Sequence, residues 1–472
     1  MTSRIQLLRL QLPLVYDLSA IGMTRLQLVY LLVFTATLFA CWSPYKYLPY
    51  LVPFVALGIV IWMVPYRSIL RNLLLLIAIW IGWIGIGALL NPDFIFQNAL
   101  LAVMTYNSFY IPLVIPARYL AGETLYRCMA KILLVITIIE ASIGFIQAIY
   151  GYTQKGSFDL ENGDFVEGTI DLALAQSPGF ETPMFATNMA FSLLAMMPMI
   201  LVYKKKSWTI PILFGAAVLV LASVVHVLIY LFAAIVVALI IFRPITLKHR
   251  RVGLSLLIFG LLIAFLIGLT SVLLPTNLNR VTLQFERAIQ LGNPKVILLQ
   301  RLFTVAPQEY PWLPTMGIGP GQFSSRASLI GSGYYYGGIE NPITLPLLKP
   351  AVSKSLDLYV LDLWMRILNW PGTAGSTMKP WASWLSIFSE AGAAGVIAVI
   401  FVFTGTLWIA RKSAKSWSKR VIGFSFGAGV ILLFLLGMQE NYWETTQAIL
   451  IGCLSLKQLY ANLINLEITT IK

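Results

Sequence analysis

Five arginines, Arg280, Arg287, Arg301, Arg326 and Arg366, fall in about a hundred residues that contain no apolar run of membrane length. A guanidinium stays charged beside apolar surroundings and matches phosphate bidentately. Several of them on one surface suit a diphosphate carried on a lipid. The ordinary alternative is that each contacts a lipid headgroup or a carboxylate. A carboxylate, Glu390, follows in the stretch WASWLSIFSEAGAAG, one turn into an apolar run. At that depth it needs water or a partner, and it could accept a proton from a hydroxyl. A helix-start carboxylate helped by the helix dipole is an equal reading.

The elements that must position these groups are membrane helices. The chain is 58% hydrophobic and only 11% charged, with a mean hydropathy of +0.82. A water-soluble chain of 472 residues could not cover its surface with so little charge. In lipid, only helices and closed barrels satisfy the backbone. The apolar runs are continuous and do not alternate, so the expected class is all-α and polytopic. Candidate spans are 26–42, 47–64, 70–90, 94–116, 129–150, 183–203, 208–223, 225–242, 252–274, 382–409, 421–439 and 443–460. The seventh and eighth come from one run, Thr209–Phe242, too long for a single ordinary helix and read as a tight hairpin. The first run lacks a small-residue cleavage site and is expected to be retained.

Charge tests that plan. With the N-terminus inside, twenty basic residues fall in inner segments, among them Arg67, Arg71, Arg118, Arg127, Lys131, Lys204–Lys206, Arg243 and Arg411–Arg420. The short outer loops hold only Lys46 and Lys155. This asymmetry predicts both termini on the cytoplasmic side, and it explains the net charge of +14 without nucleic acid. The expected layout is a cytoplasmic segment 1–25, spans over 26–274 with an outer loop 151–182, a large outer domain 275–380, spans over 381–460 and a tail 461–472. Arg4 and Arg9 place the stretch Ile5–Leu14 along the inner membrane surface.

Within the outer domain, Asn277–Leu291 and Pro294–Val305 have helical spacing. Asp357–Trp370 is apolar and aromatic, with Asp362 and Arg366 four apart, and is expected to lie at the membrane interface. Gly317–Gly321 and Gly331–Gly338 read as loops. There is no Walker A loop, no HExxH, no Ser/His/Asp pattern and no Asp-x-Asp motif. Cys41, Cys128 and Cys453 have no metal-ligand spacing. Of the two histidines, His249 sits in a basic loop, and His226 lies near the turn of the hairpin, where a packing role is the commoner one. Glu140 needs a polar partner inside its span, and Glu181 and Asn188, in PGFETPMFATNMAF, could line a shared cavity.

Three stretches together resemble the O-antigen ligase and O-antigen polymerase-like family of envelope glycosyltransferases. They are Gly179-Phe-Glu-Thr-Pro183 through Ala190; Arg301 followed by Met-Gly-Ile-Gly-Pro-Gly-Gln-Phe at 316–323; and Trp381 to Gly395 with Gly392 and Gly395. The resemblance implies a GT-C-like membrane fold and a metal-independent transfer without a cofactor. A glycan moves from an undecaprenyl-diphosphate donor to an acceptor sugar hydroxyl on the periplasmic face of the inner membrane. It implies an acceptor glycan or lipid, and a chain-length regulator or flippase as partner. It places Arg301 first among the catalytic groups, with Glu390 and His226 beside it. Arg326, Arg287, Arg280, Gln322, Arg366, Glu181, Asn188, Trp381 and Lys379 are then the expected substrate contacts. The sequence departs from the family where it matters: Trp381 stands at the family's histidine, Ala382 at the usual Asn, and Ser223-Val-Val-His226 lacks the family's arginine. These departures favour a polymerase-like activity over ligation. A transporter or flippase of lipid-linked sugars is the alternative, against which stands the lack of an internal repeat. An inactive scaffold is a third reading.

Overall fold

Apolar runs of about twenty residues leave the backbone no partner but itself, and the chain answers with helices. The computed structural model describes residues 22–63, 66–155, 165–172, 182–244, 286, 292–338, 340–368 and 379–465, and among these every regular element is helical. The principal helices are α1 (Arg25–Cys41), α2 (Leu48–Met63), α3 (Arg67–Leu90), α4 (Phe96–Thr105), α5 (Tyr110–Val114), α6 (Glu123–Lys155), α7 (Thr182–Leu201), α8 (Thr209–Leu221) and α9 (Val225–Phe242). After them come α10 (Pro294–Thr304), α11 (Arg326–Gly331), α12 (Asp362–Leu368), α13 (Ser383–Ser413), α14 (Trp417–Gln439) and α15 (Thr446–Asn465). Seven described helices, α3, α6, α7, α9, α13, α14 and α15, are long and apolar enough to cross a membrane. The apolar helices at 25–41, 48–63, 96–105 and 206–221 are shorter.

The bundle is built around α7, α14 and α15, whose side chains are mostly buried on all sides. Small residues let these helices close up, as expected where lipid supplies no hydrophobic drive. Gly423 and Gly427 sit under Phe242 of α9, and Gly452 sits under Phe191 of α7. At the periphery the rule inverts. Helix α3 buries only Ile69 and Gly87 and turns Leu74, Leu75, Ile79 and Ile81 outward. An outward apolar surface of this kind belongs in lipid.

The long run Thr209–Phe242 divides as expected, at Ala222–Val224, with Ser223 in the left-handed region (φ 65°). The expected fourth span, 94–116, does not form one helix. It breaks into α4, a 3-10 turn at Asn107–Phe109 and α5. The break carries buried polar groups: Asn107 Nδ2 donates to Tyr50 O, and its Oδ1 accepts from Thr446 Oγ1. The candidate span 252–274, the stretch Asn277–Leu291 apart from Glu286, and the stretch Ile5–Leu14 lie outside the described residues.

The described residues of 292–368, with 379–381, form a helical cap with its own core of Leu298, Leu302, Leu313, Phe323, Leu356, Val360, Leu363, Trp364 and Trp381. Helix α10 starts at Asn293, whose side chain accepts from Lys295 N, with Pro294 in the first turn. The stretch Asp357–Trp370, expected as a helix, is helical in its described part to Leu368, in a run that begins at Lys354 and has a π-turn at Asp357–Leu361. Its Tyr359, Val360, Leu363 and Trp364 are spent on the cap core. Part of the expected loop 331–338 is helical, at Tyr334–Gly337.

The turns sort to two ends. At the cap end, the links at 91–95 and 440–445 meet the cap through polar contacts. Those at 42–50, 165–172 and 222–226 are joined through Tyr50 to Glu444, Thr169 to Trp42 and His226 to Tyr442. At the other end, Gln27 reaches Ala121 O, Gln458 reaches Leu120 O, and Ser68 meets Tyr119. This second end carries Arg67, Arg71, Arg118, Lys204–Lys206 and Arg411–Lys412.

Candidate functional site

The two leading expected residues, Glu390 and Arg301, are both held in structural contacts. Helix α13 is interrupted at Gly392 (φ 65°, ψ −165°), which frees carbonyls of the preceding turn. The glycine-rich loop 317–321 takes them up. Ile318 N donates to Ser389 O at 3.1 Å, and Gly319 N donates to Glu390 O at 3.0 Å. Trp83 Nε1 also donates to Glu390 O. The fully buried Glu390 carboxylate accepts Gly321 N at 2.7 Å and Phe323 N at 3.0 Å, one on each oxygen. A Cβ at Gly317 would stand 2.2 Å from the Glu390 backbone, and one at Gly392 would stand 2.3 Å from Thr315. The Gly-Ile-Gly-Pro-Gly run is therefore glycine-rich because it threads against backbone. Glu390, expected as a proton acceptor, has both oxygens engaged in holding that loop.

Arg301 is also occupied. Its Nη1 and Nη2 donate to Asp362 Oδ1 (2.6 Å) and Oδ2 (2.8 Å), and Nη1 donates to Tyr359 O (2.7 Å). That bidentate pairing joins α10 to α12 and spends the fork that a phosphate would need. Arg366 faces the same carboxylate at 3.6 Å and is largely exposed. Gln322 is fully buried and bridges backbone: Ile95 N donates to its Oε1, while its Nε2 donates to Ile95 O and Pro320 O. Trp381 packs edge-on against Trp364 in the cap core. Asn188 is buried, with Nδ2 on Gln447 O and Oδ1 without a partner. Arg280, Arg287 and Glu181 lie outside the described residues. Glu140, outside this cluster, accepts from Thr169 N and Thr169 Oγ1.

Three expected residues do converge: Arg326, Lys379 and His226. Arg326 opens α11 directly behind the glycine loop, capped by Ser325 Oγ on Ser328 N. Its Nη1 reaches Thr445 Oγ1 at 3.3 Å, and its guanidinium lies 4.7 Å from the Tyr335 ring centroid. Tyr50 also faces it. The side chain is buried, Nε has no partner, and among the described residues no carboxylate lies within ion-pair distance. Its pKa stands above the ordinary arginine value; burial pulls it down, and Tyr335, Tyr50, Tyr336 and Glu440 more than offset this. The charge is thus retained.

Glu440 is the centre of the cluster. It follows the last turn of α14, and its carboxylate meets Lys379 Nζ at 2.7 Å. Its backbone carbonyl accepts from Ser383 N, which begins α13. Lys295 Nζ donates to the adjacent Gln439 O. Two ammonium groups thus sit at the C-terminal end of a long helix, where its dipole favours cations. Burial raises the Glu440 carboxyl, but Lys379, Lys295 and Arg326 bring it below the usual carboxylate range. Lys379 stands above the ordinary lysine value: burial lowers it, and Glu440 overrides that. Burial takes Lys295 down to about 7, with Glu440 opposing and Lys379 adding to the fall. His226 Nε2 lies 2.7 Å from Tyr442 OH, two residues beyond Glu440.

The arrangement gathers three cationic side chains about one ionised carboxylate, walled by tyrosines. It can bind an anion, and the unpartnered Nε of Arg326 is a donor left for it.

No family model matches the chain, and no curated protein matches it.

Lys295, Glu440 and Tyr442 escaped the sequence reading. The signal for Glu440 was present: the link Glu440-Asn-Tyr-Trp-Glu444 places two carboxylates between two apolar runs. Lys295 had none, since its neighbours come from residues about 140 positions away. Among the described residues no group of acidic, histidine or cysteine side chains could hold a metal ion.

Proposed function

We propose that this chain is a membrane-embedded glycosyltransferase of envelope or exopolysaccharide synthesis that takes its glycan from a polyprenyl-diphosphate donor. The observation that carries this reading is Arg326: buried, charged, and beside Lys379 and Lys295, with no carboxylate among the described residues in ion-pair distance of its guanidinium, Glu444 taking only its backbone N–H. The resemblance of residues 179–190, 301–323 and 381–395 to the O-antigen ligase and polymerase-like family supports it. In the reaction, the acceptor oxygen bonds to the anomeric carbon as the bond to the diphosphate oxygen breaks. The diphosphate leaves with the bonding pair. Its growing negative charge is met by Arg326, Lys379 and Lys295. The acceptor proton goes to the His226–Tyr442 pair. Twelve spans, a periplasmic cap and a bacterial inner-membrane location complete the proposal; the basic residues gathered at the end away from the cap support the orientation. Polymerisation is favoured over ligation by Trp381, an apolar core residue at the position of the family's histidine.

The test uses purified protein, a lipid-diphosphate oligosaccharide and an acceptor. Arg326→Ala should lower transfer about 10²–10³-fold, and Arg326→Lys should restore little of it. Arg301→Ala should loosen the cap yet leave measurable transfer. Full activity in Arg326→Ala overturns the site.

A transporter of lipid-linked sugars is the second reading, favoured by the interrupted helices at 105–110 and 392. Vesicles separate the two: movement of the lipid-linked sugar without a new glycosidic bond selects transport.

A further inference from the structure

The end of the bundle away from the cap holds a second group of cations, around a surface cavity unconnected with the proposed transfer. It has a volume of about 330 Å³ and is lined by Tyr66, Arg67, Ser68, Arg71, Arg118 and Tyr119. Its walls come from two places: the first turn of α3, and the 3-10 turn Ala117–Tyr119. Asn72 Nδ2 donates to Val114 O at 3.1 Å and fixes the two together. Tyr66 and Tyr119 stack with centroids 4.6 Å apart and form the floor. Arg118 Nη2 donates to Tyr119 OH at 3.0 Å, and Ser68 Oγ sits 3.0 Å from the same hydroxyl. No carboxylate lines the cavity, and among the described residues none pairs with Arg67, Arg71 or Arg118.

Three exposed guanidiniums around one pocket, with no carboxylate in its lining, favour an anion there. Immediately beyond the cavity, α3 presents Leu70, Leu74, Leu75 and Ile77 outward. A ligand filling both surfaces carries a phosphate at one end and hydrocarbon at the other. We infer that this cavity holds the phosphate headgroup of an anionic glycerolipid of the surrounding leaflet, with its acyl chains along α3. The site tethers α3, a helix with almost no buried surface, to the 110–119 segment.

The probe is phosphatidic acid in phosphatidylcholine vesicles. The full-length protein is released and its retained lipids are counted by native mass spectrometry. Wild type should keep phosphatidic acid in preference to phosphatidylcholine. An Arg67→Ala, Arg71→Ala, Arg118→Gln variant should lose that preference at least tenfold, and the three exposed positions leave folding intact, as checked by its thermal unfolding. The matching lysine variant should recover only part. Arg326→Ala should retain phosphatidic acid like wild type, so failure of the transferase reading leaves this one standing. Equal retention in wild type and triple variant overturns the proposal. So does displacement of the lipid by millimolar inorganic phosphate, which makes the ligand a soluble anion.

Discussion

Arg326 and Arg301 are the same residue type in one cap, yet their chemistry differs through their partners. Arg301 has its fork filled by Asp362, and at partly exposed positions such a pair contributes about 1 kcal/mol. Arg326 has aromatic walls, one threonine contact and an orphaned Nε. The pH dependence follows from Lys295. Its ammonium loses its charge near pH 7 while Glu440 stays ionised and Lys379 and Arg326 stay cationic. Affinity for inorganic diphosphate should therefore fall about tenfold as pH rises from 6 to 8.5, the worth of one charge-assisted contact. Titration calorimetry checks this, and Lys295→Arg should flatten the profile. A wild-type profile no different from that of Lys295→Met, measured with the same diphosphate, removes Lys295 from the site. Stability moves the other way. The folded-state pKa of Lys295 lies below its unfolded value, so the unfolded chain binds the extra proton above pH 7. The ligand-free protein should then gain stability as pH climbs from about 7 toward the ordinary lysine value.

At the scale of elements, the broken helix and the glycine loop are one device. Gly392 opens α13, and the loop 317–321 fills the opening with its own N–H groups. The Glu390 carboxylate then holds Gly321 and Phe323, which delivers Arg326 three residues on. Removing the carboxylate strands two buried donors, at about 1–3 kcal/mol each. Glu390→Ala should lower the unfolding midpoint in detergent by several degrees. Glu390→Gln should recover part of this, because its one carbonyl oxygen satisfies one donor and its amide opposes the other. Gly392→Ala should be as damaging, since only glycine adopts that backbone and the added Cβ meets Thr315. If Glu390→Ala keeps its midpoint but loses transfer, Glu390 is catalytic after all and the loop stands without it.

At the scale of the molecule, the two ends have different tasks. One end collects turns, cap and a cationic cluster, and the other collects most of the basic surface residues. Impermeant thiol labelling in a background without the native cysteines tests which end faces out. Lys349→Cys, exposed in the cap, should react in intact cells; Lys205→Cys should react only after permeabilisation. The reverse pattern inverts the orientation and with it the access of a periplasmic donor.

Composition and run length settled the class, because a chain this apolar can satisfy its backbone in lipid only by coiling. The division of Thr209–Phe242 was legible too, since 34 apolar residues exceed one span. The break in 94–116 was not, although Asn107 marked it, because its partners Tyr50 and Thr446 are remote in sequence. The candidate site was half legible. Residue type nominated Arg326 alongside Arg301 and Glu390, and the family resemblance added Lys379 and His226. Only the folded chain separated them, by showing whose hydrogen-bonding capacity was already spent. A sequence states what each side chain can bind; packing decides which neighbour claims it first.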